Sequence, residues 1–389
     1  MGTEENKLVS NRIDYTLLFL LFLLFIISIF AIYSASGQYD DIYGTYFFVK
    51  RQILWYVVGM AVMSFIMFFD YEILENLALP FYGIGILLLL VVHFFGYENN
   101  GSQRWIRLPG FDLQPSEFVK IFLVILLSSV IYKWVKNRSH VEQTTPIWIL
   151  AKIVLFTLPP FFLILKQPDL GTALVIGAIM VTMIFISGAS WKILTTIAGT
   201  IIAGLATLVY LHNHHFDIFS KIIEQHQLSR IYGWLNRSEH ASSFGYQLTE
   251  ALKGIGSGQV VGRGYLEGVQ AQSGRIPEVQ TDFIFAVIGE EFGFIGATLV
   301  ISIYFIMIYR LIIIAINCDN PFGTYLVTGI IGLLVFQIFQ NVGMTIGLMP
   351  ITGLALPFIS YGGSALLTNF IAIGIVLNVK YRTKSFMFN

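Results

Sequence analysis

Apolar residues in this chain gather into unbroken runs rather than into stripes, and short polar intervals separate the runs. Ten such runs lie near 14–36, 53–69, 77–95, 116–134, 147–165, 170–187, 191–211, 282–309, 324–348 and 357–379. At a rise of about 1.5 Å per residue each reaches across a hydrocarbon core of about 30 Å, the shortest only just. The pattern predicts an all-α polytopic membrane protein of about ten transmembrane helices, with one large extracytoplasmic loop, 212–281, between helices 7 and 8. The chain divides into an N-terminal segment 1–13, a single membrane domain 14–379 and a tail 380–389.

Within the long loop, "FGYQLTEALKGIGSGQVVGRGYLEGVQ" spaces Leu248, Leu252, Ile255 and Val260 as an amphipathic helix would. A re-entrant or interface-lying element is expected there. The first run ends in "YSASG", which has the look of a signal-peptidase site, but it is longer than the about 7 to 15 apolar residues of a signal peptide and is read as a retained span.

Composition narrows the class. Charged residues make up 12% and hydrophobic residues 56%, whereas soluble domains carry about 25% charged residues. With 23 basic and 23 acidic residues there is no net field to attract nucleic acid. The single Cys318 excludes an intramolecular disulfide framework and a CxxC metal site. An even number of spans puts both termini on one side. With the termini inside, that face carries Lys7, Arg12, Lys133, Lys136, Arg138, Lys152, Lys192, Arg310, Lys380, Arg382 and Lys384, eleven cations, against five (Lys50, Arg51, Arg104, Arg107 and Lys166) in the short outer loops. Lysine and arginine favour the cytoplasmic side, so the termini are expected to be cytoplasmic and 212–281 to face outward.

Several polar stretches offer chemistry. "GSGQVVGRG" (256–264) lacks the preceding strand of a nucleotide fingerprint, which leaves a flexible hinge or a backbone surface facing a lipid pyrophosphate. "HNHHFD" (212–217) has the spacing neither of a metalloprotease helix nor of a finger, and reads as the polar end of span seven. "NNGSQRWIRLPGFDLQPSEFVK" (99–120) places Pro115 and Glu117 in the first turn of span four, with Lys120 on the same face, while Arg104, Arg107 and Lys120 suit an anionic headgroup. In "KQPDLGTAL" (166–174) Asp169 is placed to cap span six, and Lys166 to pair with it or to reach a phosphate. "LMPITGLALPFISYGGSALLTN" (348–369) combines two prolines with three glycines, a pattern that allows close packing or close approach of a lipid.

In "RIPEVQTDFIFAVIGEEF" (275–292), Asp282 opens span eight. Taken alone, a helix N-cap is the simpler reading. Glu290 and Glu291 follow in the same span, and three acids are too costly to face lipid, so part of this helix lines a polar cavity or meets cations. A carboxylate at the rim of such a cavity is a candidate general base.

"NGSQRWI", "QPSEFVK", "QPDLGTA", "PEVQTDFIFAVIGEEFGFIG" and "NVGMTIGLMPITGLALPFISYGGS" follow one another as in the SEDS (shape, elongation, division, sporulation) family, and the wording of the last resembles the RodA branch more than the FtsW branch. The resemblance implies a peptidoglycan glycosyltransferase that polymerises lipid II at the outer face of the bacterial cytoplasmic membrane beside a class B penicillin-binding transpeptidase, with membrane lipids around it and no nucleic-acid partner. It makes Asp282 the catalytic residue and puts Arg104, Glu117, Lys120 and Glu290 at the central cavity. Lys166, Arg263, Arg275 and Ser360 complete the set expected to bind substrate or pyrophosphate. A divalent cation (magnesium or manganese) is the one cofactor that suits this chemistry; no nucleotide or organic cofactor is expected. Gln280 stands where the family usually has a histidine. The rival reading is a lipid flippase or transporter, whose sites lie near the midplane of the bilayer.

Overall fold

The computed structural model describes residues 13–39, 44–99, 102–108, 111–137, 145–222, 225–235 and 244–383. Lys7, Arg12, Arg138 and Lys384, used above to orient the chain, lie outside the described residues, as do most of the two terminal segments. Nine described helices are long and apolar enough to cross a membrane. They are α1 (Tyr15–Ser36), α2 (Phe47–Phe68), α3 (Ile73–Phe95), α4 (Pro115–Asn137), α5 (Ile147–Leu165), α7 (Trp191–His214), α13 (Gly293–Ile316), α14 (Pro321–Thr345) and α15 (Gly363–Arg382). The expected sixth span is the shorter α6 (Leu170–Ile186), which packs against α5 and α14. All ten apolar runs therefore fold as helices.

The helices differ in how much surface they bury, and the sequence says why. α4 and α15 carry polar residues that lipid would not accept, among them Glu117, Lys120, Thr368 and Asn369, and both helices bury most of their surface at the centre of the bundle. α7 buries none of its residues and leaves Ile202, Leu205 and Val209 exposed on its apolar surface.

Two polar connections are structured. Between α3 and α4 the chain forms a three-stranded antiparallel sheet, β1 (Tyr97–Asn99), β2 (Ser102–Leu108) and β3 (Phe111–Leu113), in the order β1-β2-β3. No strand was expected here: β1 and β3 span three residues each, and "SQRWIRL" of β2 does not strictly alternate apolar and polar residues. The long loop holds α8 (Phe216–Ile222), α9 (Gln225–Leu235), α10 (Phe244–Gly258) and α11 (Val269–Gln272). Leu248 and Ala251 of α10 are buried, and α10 packs on α12 (Ile284–Glu291), so protein covers its apolar side; Val260 falls beyond the helix and is exposed.

The eighth apolar run is not one helix. α12 ends at Glu291 and α13 begins at Gly293, whose φ of 64° only glycine adopts readily. The "GSGQVVGRG" stretch causes the break. Its Arg263 and Gly264 amides donate to the carbonyls of Glu290 and Glu291 at 3.0 and 3.2 Å, while the Phe294 and Ile295 amides donate to the carbonyls of Gln259 and Val260 at 2.9 and 3.1 Å. The loop thus supplies the partners that a continuous helix would have found within itself. A Cβ at Gly262 would stand 2.0 Å from the Glu291 carbonyl oxygen, so the glycine is there for backbone contact.

Candidate active site

Asp282 sits in the turn ahead of α12, outside the membrane-crossing helices. The helix starts after Phe283 and has no side-chain cap. The N-cap role is therefore not the one the fold gives Asp282, and its half-buried carboxylate faces a pocket of about 170 Å³. Arg104, Trp105, Gln114, Glu117, Glu278, Gly353, Tyr361 and Ser364 share the lining. The volume seats a pyrophosphate or a single reacting centre, below the about 300 to 1,000 Å³ of pockets that enclose a drug-sized ligand.

The backbone around Asp282 is held from two sides. Asn341 on α14 donates its Nδ2 to the Asp282 carbonyl at 2.9 Å and to the Leu354 carbonyl at 2.6 Å. Ser360 donates to the Thr281 carbonyl at 2.5 Å and accepts from the Leu356 amide at 2.8 Å, and the Tyr361 amide donates to the Gln280 carbonyl at 2.9 Å. The extended segment 349–356 runs past the carboxylate. There Gly353 has φ 73°, and a Cβ on it would lie 3.2 Å from Asp282 Oδ2. Burial pushes the Asp282 carboxyl up to about 6; Arg104 pulls it down, Glu278 pushes it up and Arg230 pulls it down again.

Two arginines frame this carboxylate. Arg104 comes from β2 and meets Asp169 at 3.5 Å. Asp169 caps α6 through the Thr172 amide at 3.1 Å and also accepts from Thr172 Oγ1 at 2.9 Å and Gln114 Nε2 at 3.1 Å. The Nε of Arg104 is buried and has no partner among the described residues. Arg230, on α9, is buried and donates Nη1 to the Thr352 carbonyl at 2.9 Å, and Nη1 lies 3.8 Å from the point a Cβ of Gly353 would occupy. Trp234 Nε1 to the Gly347 carbonyl (2.8 Å), and His212 Nε2 with the Tyr232 hydroxyl (2.7 Å), dock α9 in place. The "HNHHFD" histidine thus anchors a helix.

The remaining sequence candidates fall into three groups. Glu117 lines the pocket and pairs with the buried Lys120 at 2.8 Å; Thr368 Oγ1 also donates to Glu117, at 3.3 Å. Ser360 and Glu290 act on backbone: Ser360 braces the residue before Asp282, and Glu290 accepts from the Gln270 and Ala271 amides at 2.8 and 2.9 Å, capping α11. Glu291 accepts from the Ser34 hydroxyl of α1. Lys166, Arg263 and Arg275 are exposed and outside the pocket lining, Arg263 Nε donating to Ser257 Oγ at 2.9 Å. Gln280, in the place of the family histidine, points its Nε2 at Glu278 Oε2, 3.4 Å away. Among the described residues no three carboxylate, imidazole or thiol groups converge as a metal site.

Sequence reasoning missed Arg230, Gly353 and Asn341. In "QHQLSRIYGWL" the signal for Arg230 was present but weak: it is a cation close to the apolar residues that α9 turns inward, Leu228 among them.

The family model covering the FtsW, RodA and SpoVE cell cycle proteins matches residues 15–385. The chain belongs to this family. Its relatives include the probable peptidoglycan glycosyltransferase FtsW of Trichlorobacter lovleyi, 35% identical over 94% of this chain and 92% of that one. The peptidoglycan glycosyltransferase MrdB of Escherichia coli is 32% identical over 96% and 94%. Among solved structures, a chain of a peptidoglycan synthase complex that coordinates polymerisation and crosslinking aligns with a TM-score of 0.76 at 28% identity, covering 95% of this chain and 98% of that one. The rod shape determining protein RodA of Thermus thermophilus aligns with a TM-score of 0.68 at 27% identity over 96% and 98%. The family member described here is thus similar to proteins named after both branches, and its motif wording does not separate them.

Proposed function

We propose that this chain is a peptidoglycan glycosyltransferase that polymerises lipid II, with Asp282 as general base. The observation that carries the reading is the shared pocket: a carboxylate whose carboxyl is raised to about 6 stands beside a half-buried arginine, Arg104, and close to a second, buried one, Arg230. A base tuned near the working pH is suited to proton abstraction. The acceptor sugar's 4-hydroxyl attacks the anomeric carbon of the donor, its proton passes to Asp282, and the bond from that carbon to the pyrophosphate oxygen breaks. Direct displacement inverts the anomeric centre. Glycosidases need a second carboxyl group to protonate the leaving group; here undecaprenyl pyrophosphate departs as an anion, and Arg104 and Arg230 supply the charge that stabilises it. A divalent cation would draw most of its oxygens from the substrate's phosphates, as magnesium commonly does, and the carboxylates in the pocket lining are Asp282, Glu278 and the Lys120-paired Glu117.

The lysine and arginine distribution supports cytoplasmic termini and a pocket that opens outward. The flippase reading leaned on Glu290 and Glu291 as deep acids, and both are engaged in fastening α12 to α11 and α1. We assign a class B penicillin-binding transpeptidase as partner; the synthase complex to which the chain is similar supports this.

The test is polymerisation by the purified protein, with and without a transpeptidase. Wild type should convert lipid II to glycan strands, and Asp282→Asn, folded and still binding lipid II, should not. Lipid II crossing the bilayer of proteoliposomes without any polymer forming would hand the assignment to the flippase.

A further inference from the structure

A large hollow lies far from Asp282. About 750 Å³ in volume, it sits between the start of α3, the end of α4 and the start of α5. α4 runs from the Asp282 pocket at Glu117 to this groove at Lys133, about 24 Å along the helix. The two sites therefore occupy opposite ends of the bundle.

Lys133 and Lys152 are exposed on the rim. Neither has an ion pair among the described residues, where the lysine pairs are Lys120 with Glu117 and Lys253 with Glu250. Lys152 Nζ stands 4.8 Å from the ring centroid of Trp148, an arrangement common where a cationic, aromatic rim meets a membrane interface. Leu126 and Phe156 line the wall, and Leu79 and Leu155, both more than half exposed, carry the apolar surface outward onto the flank of the helices. One carboxylate, Glu75, also faces the hollow. Two cations, one anion and an apolar exit match a molecule with a phosphate, hydroxyl donors and an acyl chain. A free phosphate would leave the apolar wall unused.

We propose that this groove binds one anionic phospholipid of the phosphatidylglycerol class. Its phosphate lies against Lys133 and Lys152, its headgroup hydroxyls donate to Glu75, and an acyl chain follows Leu126 and Phe156 outward between α3 and α5. Basic pockets between transmembrane helices recognise acidic headgroups in this manner, and each lysine near such a phosphate contributes about 1 kcal/mol.

Native mass spectrometry of the detergent-purified full chain tests this with three lipids: phosphatidylglycerol, phosphatidylethanolamine and phosphatidylcholine. Wild type should retain one phosphatidylglycerol in preference to the other two. Lys133→Gln and Lys152→Gln should each weaken retention about fivefold, the equivalent of about 1 kcal/mol. Lys192→Gln, on a lysine outside the groove, should change nothing. All three positions are exposed, so the variants should elute and melt like wild type. Three results would overturn the proposal: undiminished phosphatidylglycerol binding by the Lys133→Gln/Lys152→Gln double variant, an equal loss in Lys192→Gln, or a preference for phosphatidylethanolamine, whose ammonium would then be sitting on Glu75.

Discussion

A Cβ at position 353 would stand 3.2 Å from Oδ2 of Asp282, so Gly353 sets how closely the extended segment can pass the carboxylate. Gly353→Ala should lose about 1 to 2 kcal/mol of stability, because an alanine is held at φ 73°. It should also lose at least tenfold in polymerisation, because the reacting carboxylate is displaced, and misplacement by about 1 Å costs up to 10²-fold. Thermal denaturation and lipid II turnover on the same preparation separate the two effects; full activity would mean that the carboxylate need not hold its place.

Turnover should follow the ionisation of Asp282. With its carboxyl raised to about 6, the basic form declines about tenfold per pH unit below that value, so the rate should climb from pH 5 and level off above about 7. Arg104 is the largest influence opposing burial, so Arg104→Gln should move the inflection to higher pH. For stability the sign is reversed. A carboxyl raised above its unfolded value of about 3.9 favours the fold while protonated, and that contribution disappears as pH rises through about 6. A pH–rate profile of wild type and Arg104→Gln checks the direction.

Arg230 reaches the site from the long segment between α7 and α12, and its loss should be felt in the chemistry. Arg230→Ala should lower kcat by about ten- to a hundredfold, with Arg230→Lys recovering part of it, as removal of one group that stabilises a developing anion does. If only KM changes, Arg230 belongs to substrate capture alone.

Glu117 and Lys120 form a pair that is 4% and 1% exposed. Lys120→Met alone should destabilise the protein by about 3 to 5 kcal/mol by stranding the carboxylate, and Glu117→Gln/Lys120→Met together should restore much of that. Equal losses in the single and double variants, measured by thermal unfolding in detergent, would show that the two groups do not act as a pair.

The positions of the ten apolar runs were legible because each run is uniform, and so was the place of Asp282 at a polar pocket, since it lies close to acids that lipid cannot accommodate. Arg104 and Glu117 were legible through their motifs. Three things escaped. The α12–α13 break depends on a glycine-rich stretch some thirty residues earlier in the chain donating to and accepting from the helix backbone, and no local periodicity reports such a partner. Arg230 was hidden because its target, the Thr352 carbonyl, belongs to a segment 122 positions away. Glu290 was read as a cavity residue because an intramembrane acid suggests a ligand, whereas here the ligand is the protein's own amides at 270 and 271.

The spliced helix has a mechanical consequence. The block that follows Asp282 is bolted to α1 through Ser34, to α11 through Glu290 and to α14 through Asn341, while α13 starts afresh beyond Gly293. Four backbone hydrogen bonds from residues 259–264 close the joint. A displacement of α13 would therefore strain that joint before it shifted the turn that carries Asp282, which ties the glycine-rich stretch to the position of the carboxylate.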